Sequence, residues 1–93
     1  MSNLRFEWDP LKATLNQRKH GVSFDEAKTV FADDLARLID DPDHADNEER
    51  FILLGLSCRL RVLIVVHCYR ANGSTIRIIS ARKATRVEQR YYP

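Results

Sequence analysis

His67, Tyr69 and Arg77 are side chains whose types suit one reaction, cleavage of a phosphodiester. Histidine moves a proton near neutral pH. A guanidinium braces the charge that builds on a pentavalent phosphate. Tyrosine stacks on a base or helps position a hydroxyl. Beyond them Arg82, Lys83, Arg86 and Arg90 offer contacts to phosphates. Each also has a plainer reading, since a strand histidine often packs in a core and a strand tyrosine often packs across a sheet. A shared face would raise them above that reading.

Strand parity decides the question. Leu60–Arg70 and Thr75–Ala81 read as two strands joined by Ala71-Asn72-Gly73. A three-residue loop with Gly73 in the left-handed conformation sets Arg70 opposite Ser74, Tyr69 opposite Thr75 and His67 opposite Arg77. One face then presents His67, Tyr69 and Arg77. The other presents Val66, Cys68, Ile76 and Ile78, an apolar set fit to lie under helices. A two-residue turn at Asn72-Gly73 shifts the register by one and mixes His67 with Ile78. The three-residue loop is preferred because it keeps the polar and apolar sets apart.

The elements that must position these residues are legible along the chain. Phe6-Glu7-Trp8 is a short strand candidate. Asp9 caps a helix that Pro10 begins and Gly21 ends, with Lys19 and His20 in the last turn. Its Leu11, Thr14, Leu15 and Arg18 share one face, so a narrow leucine stripe is expected to be buried. Ser23 and Glu26 form a capping box for a second helix with Phe24, Ala27, Val30 and Phe31 as its stripe. Asp33-Asp34 breaks that helix, and Leu35–Ile39 is a strand. Residues 40–49 form an acidic loop, followed by a strand over Arg50–Ser57. Thr85 and Glu88 cap a terminal helix expected over Arg86–Tyr92. The order β-α-α-β-β-β-β-α argues for an α+β fold, not a doubly wound parallel sheet.

Composition bounds the function classes. Ninety-three residues, 44% hydrophobic and 30% charged, suit one soluble globular domain. The longest apolar run, Val62–Val66, falls far short of the ~20 residues that span a membrane, and the first residues lack the apolar region of a secretory signal. Residues 1–58 carry seven Lys+Arg against twelve Asp+Glu, whereas residues 59–93 carry eight against Glu88 alone. This asymmetry, net −5 against net +7, hints at a polyanionic partner. Cys58 and Cys68 lack metal-ligand spacing and read as two buried thiols of a cytosolic protein. Trp8 reads as core or interface. The run Asp40-Asp41-Pro42-Asp43-His44-Ala45-Asp46 lacks the central Gly and terminal Glu of a calcium loop and reads as a solvated turn. No metal and no cofactor is expected.

Several strings read together as one family. Phe6-Glu7-Trp8-Asp9-Pro10-Leu11-Lys12, Asn16-Gln17-Arg18-Lys19-His20-Gly21-Val22-Ser23-Phe24, Glu49-Arg50, and Ile76-Arg77-Ile78-Ile79-Ser80-Ala81-Arg82-Lys83-Ala84-Thr85 resemble the BrnT toxins of bacterial type II toxin–antitoxin systems. The resemblance runs from Phe6 to Tyr92. It implies a RelE-like fold, an antiparallel sheet with two N-terminal helices packed on one face and a short C-terminal helix. It implies a metal-independent ribonuclease that inhibits translation and arrests growth in the cytoplasm. It further implies a BrnA-type, ribbon-helix-helix antitoxin that neutralises the toxin in a hetero-oligomer and carries operator-DNA binding. Among the residues it implies as functional are His67, Tyr69, Arg77 and Arg82 for catalysis, with Arg50, Arg70 and Lys83 joining Arg86 and Arg90 on RNA. The competing expectation is a non-catalytic module whose basic face grips nucleic acid or an acidic antitoxin segment.

Overall fold

The computed structural model describes residues 4–40 and 49–93. The chain runs through β1 (Arg5–Glu7), α1 (Pro10–His20), α2 (Phe24–Thr29) and a 3-10 turn at Val30–Ala32. It continues through β2 (Arg37–Asp40), β3 (Phe51–Leu56), β4 (Val62–Arg70), β5 (Thr75–Lys83) and α3 (Arg86–Gln89). The expected order of elements is the observed one. The acidic loop falls, from Asp41 to Glu48, outside the described residues.

Local chemistry sets the helix ends. Asp9 accepts the Leu11 N–H at 2.9 Å, and Pro10 occupies the first turn, where its missing donor costs nothing. Gly21 closes α1 at φ 69°. Ser23 accepts the Glu26 N–H at 3.0 Å, but only this half of the expected box forms. The Glu26 carboxylate turns instead to Ser57 and Arg61, joining α2 to the β3–β4 connection. At α3 both halves of the box are present, Thr85 N–H to Glu88 at 2.8 Å and Glu88 N–H to Thr85 at 3.1 Å. α3 stops at Gln89, shorter than the helix expected to Tyr92.

The strands form one sheet in the order β1-β5-β4-β3-β2. It is mixed, which corrects the expectation of an antiparallel sheet: β1 lies parallel to β5 while all other neighbours are antiparallel. Parallel neighbours need a long crossover. Here the helices and the β2–β5 meander supply it, bringing the last strand back beside the first.

α2 and the turns that flank it pack on one face of the sheet. Val22, Phe24, Ala27 and Val30 pack there against Leu53, Leu63, Val65, Ile76, Ile78 and Ala81. The leucine stripe of α1 is not what is buried: Leu11 is 66% and Leu15 51% exposed. α1 meets the sheet through Asn16, whose amide donates to Val22 O at 3.0 Å and Ala81 O at 2.8 Å and accepts from Ala81 N at 3.1 Å. Hydrogen bonding, not a leucine seam, therefore orients this helix.

The opposite face is only partly covered. Tyr92 packs with Leu54, Ile64 and Ala84 near the end of the chain, and its Oη donates to Asp33 at 2.7 Å. Cys68 is buried but Cys58 is exposed, against the expectation of two buried thiols, and no disulfide joins them. Trp8 packs at the core edge against Phe24.

Candidate functional site on the open sheet face

The register of β4 on β5 overturns the expected shared face. Arg70 pairs with Thr75, Tyr69 with Ile76, Cys68 with Arg77 and His67 with Ile78. The connection is Ala71–Ser74, one residue longer than expected, and Ala71, Asn72 and Gly73 all take positive φ (53°, 57° and 89°). That extra residue slides β5 by one position and reverses its parity. His67 and Tyr69 therefore lie on the helix-covered side with Ile76 and Ile78. Arg77 lies on the open side with Arg70.

A second irregularity brings Arg82 to the same face as Arg77. Val66 pairs with Ser80 and His67 with Ile78, so Ile79 has no residue opposite. Residues five apart would emerge on opposite faces of a regular strand; the bulge at Ile79 resets the alternation. It turns both arginines outward and keeps Ile78 and Ala81 inward.

His67 is completely buried. Its ring meets Phe31 edge-on at 4.8 Å, Tyr69 at 5.2 Å and Phe51 at 6.2 Å. Nδ1 faces Val65 O at 3.3 Å and Nε2 faces the Tyr69 hydroxyl at 3.3 Å. A carbonyl only accepts, so Nδ1 carries the proton and Nε2 of the neutral ring accepts from Tyr69. Burial pushes the His67 pKa below its ordinary value. Burial likewise raises that of Tyr69, which is 40% exposed and keeps its phenolic proton.

The open face carries two charge clusters. At the β4–β5 turn end, Glu7 Oε2 accepts from Arg77 Nη1 at 2.8 Å and stands 3.8 Å from Arg70 Nε. At the other end Arg82 forks onto Glu88 with bonds of 2.7 and 2.9 Å. The Arg82 bonds, chiefly, hold the Glu88 carboxyl down at about 2. Beside this second pair is a groove of about 350 Å³ lined by Ile39, Ile52, Leu54, Ile64 and Tyr91. Arg37 borders it from β2.

The remaining expected contacts surround these clusters. Lys83, Arg86 and Arg90 are exposed at the end of β5 and around α3. Arg50 is half-buried just before β3, and among the described residues its Nε has no hydrogen-bond partner. The structure thus sets Arg70, Arg77 and Arg82 on one face, in two separate clusters, and puts His67 and Tyr69 on the other. Glu7 and Tyr91 went unnoticed in the sequence. Alternation along Phe6-Glu7-Trp8 was the available signal for Glu7, because a partly buried Phe6 packed against the core forces its neighbour to the other face.

A family profile described as the ribonuclease toxin BrnT of type II toxin–antitoxin systems matches residues 8–88. Among solved structures, the 1.1 Å crystal structure of the Brucella abortus ribonuclease toxin BrnT aligns at a TM-score of 0.66 and 24% identity. The alignment covers 89% of this chain and 99% of that one, and the likeness is one of fold. No curated protein matches the sequence.

Proposed function

Because the chain belongs to the BrnT family of ribonuclease toxins of type II toxin–antitoxin systems, we propose that it cuts RNA on the open face of its sheet. The observation that carries this reading is the conjunction there of Arg70, Arg77 and Arg82 with an apolar groove closed by Tyr91. Single-stranded RNA is gripped by such a combination, guanidinium groups on the phosphates and an aromatic ring under a base. The 2′-hydroxyl attacks the adjacent phosphorus and leaves a 2′,3′-cyclic phosphate and a 5′-hydroxyl. The arginines supply the positive charge, so the cleavage proceeds without a metal ion.

Arg77 and Arg82 are five residues apart on β5, about 15 Å at the usual rise of a strand. Each is also tied to its own carboxylate. They serve different phosphates: Arg77 braces the scissile one, and Arg82 holds a neighbour while its base enters the groove. Arg50, Arg70, Lys83, Arg86 and Arg90 extend the grip along the backbone. His67 and Tyr69 keep β4 in place from beneath this face and do not move protons. The fold is read as RelE-like, one face closed by the helical hairpin and the other left open for substrate.

The partner is a BrnA-type antitoxin with a ribbon-helix-helix part. It covers the basic face in a cytoplasmic hetero-oligomer and brings operator DNA to the complex. The test is a 5′-labelled RNA oligonucleotide incubated with the purified toxin in EDTA. Fragments ending in 2′,3′-cyclic phosphate are expected, as is growth arrest on expression. Arg77→Ala combined with Arg82→Ala should reduce cleavage at least ~10²-fold, the usual scale for one electrostatic contact in a transition state. Full activity in that variant refutes the site.

A second reading draws on the Arg82–Glu88 fork, in which a carboxylate already fills the guanidinium as an acidic antitoxin side chain would. The face would then be a non-catalytic grip for that segment or for nucleic acid. Tight RNA binding with no cyclic-phosphate ends selects it.

A further inference from the structure

We propose that Glu7 is the general base of the cleavage, a role that rests on the ribonuclease reading above. The argument begins with β1. Phe6 packs into the core against Phe31, ring centroids 5.3 Å apart. Alternation then sends Glu7 to the open face. Parallel pairing sets it directly beside Arg77. One carboxylate oxygen, Oε2, takes the Arg77 Nη1–H at 2.8 Å; Oε1 takes no hydrogen bond among the described residues. The side chain is 42% exposed. A proton acceptor and a phosphate brace therefore stand within one nucleotide's reach of each other. The charged groups facing Glu7 are Arg77 from β5 and Arg70 from β4, with Arg5 two residues away on the same face of β1.

Other candidates for the base fit less well. Glu88 has both oxygens engaged by Arg82. His67 is completely buried on the other side of the sheet. Tyr69 is on that side too, bonded to His67. In the step assigned here, Glu7 Oε1 takes the 2′-hydroxyl proton as the O2′–P bond forms. The P–O5′ bond breaks, the departing O5′ takes a proton from water, and the hydroxide so formed takes back the proton held on Glu7, which restores the carboxylate. The substrate must carry a 2′-hydroxyl, so DNA is not cut.

The experiment compares wild type, Glu7→Gln and Glu7→Asp on a labelled RNA oligonucleotide, with kcat, KM and pH profile read separately. Glu7→Gln keeps the size of the side chain and an oxygen for Arg77. It should lower kcat by ~10²–10⁴-fold, the usual contribution of general base catalysis. KM should stay level or fall, because removing the carboxylate charge leaves Arg70 and Arg77 more attractive to phosphate. The acidic limb of the wild-type kcat profile should vanish with it. Glu7→Asp keeps the charge and should recover at least ten-fold over Glu7→Gln, which a folding defect would not do. If Glu7 only restrains the arginines, Glu7→Gln binds RNA more tightly at unchanged kcat, and the assignment is overturned. Absence of cleavage by the wild type would instead overturn the ribonuclease reading itself.

Discussion

Substitution at His67 separates a packing role from a chemical one. The ring is fully buried and bounded by Phe31, Phe51 and Tyr69. Truncation to Ala removes most of an aromatic-sized side chain and leaves a cavity, which costs about 2–4 kcal/mol. For a domain of this size each kcal/mol is worth roughly 4–8 °C, so Tm should fall by ~10–30 °C. Phe conserves most of the volume and should cost less than ~1.5 kcal/mol. It loses two long hydrogen bonds, to Val65 O and from Tyr69 Oη, both at 3.3 Å, and the half-exposed tyrosine can turn to water. The acid side supplies an independent mark. The folded protein holds His67 neutral below its ordinary pKa of 6.5, because burial penalises the cation. Between the folded pKa and 6.5 the unfolded chain binds more protons. The stability contribution is thus complete above pH 6.5 and declines as pH falls, at up to about 1.4 kcal/mol per pH unit. His67→Phe abolishes that slope. Urea melts of both proteins from pH 8 to pH 5, with RNA cleavage measured well below Tm, check both parts. If His67→Phe melts like the wild type but loses cleavage ~10²-fold, or if wild-type stability shows no histidine slope, the reasoning is wrong.

Three further outcomes follow from the packing. Asn16→Ala strips partners from Val22 O and from both backbone groups of Ala81, so a loss of about 2–4 kcal/mol is expected in urea melts; under ~1 kcal/mol would mean that α1 is held otherwise. Gly55→Ala would set a Cβ 2.8 Å from both Ala36 Cβ and Val30 Cγ1, and overpacking of this kind should cost about 1–3 kcal/mol in the same assay. Glu88→Gln removes a carboxylate held at about 2 mainly by Arg82; the stabilisation is present above its ordinary 4.5 and is lost as pH falls toward 2. With the two side chains 32% and 39% exposed, solvent screening reduces it to about 1 kcal/mol, so wild type and variant should differ at pH 7 and converge near pH 2 in thermal melts.

What could be read from the chain alone was whatever depends on neighbours in sequence. Asp9, Pro10, Gly21, Ser23 and the Thr85/Glu88 box set helix ends by bonds spanning two to four residues, and each element they bound is present. The family strings likewise lie in contiguous stretches, and the match over residues 8–88 agrees with them. The face that carries the charge was not readable in this way. Which side Arg77 occupies depends on one additional residue at the β4–β5 turn and on the bulge at Ile79. Neither has a local signature as strong as a cap. α1 gives the same lesson, since Leu11 and Leu15 yield the buried position to Asn16 because the amide finds Ala81, 65 residues away. Sequence by itself determined the order of elements, the basic C-terminal third and the family. Tertiary structure decided which basic residues share a surface. The physical reason is that side-chain direction in a strand has a period of two, so a single-residue change in register moves every side chain to the other face, while the local pattern that defines the strand stays the same.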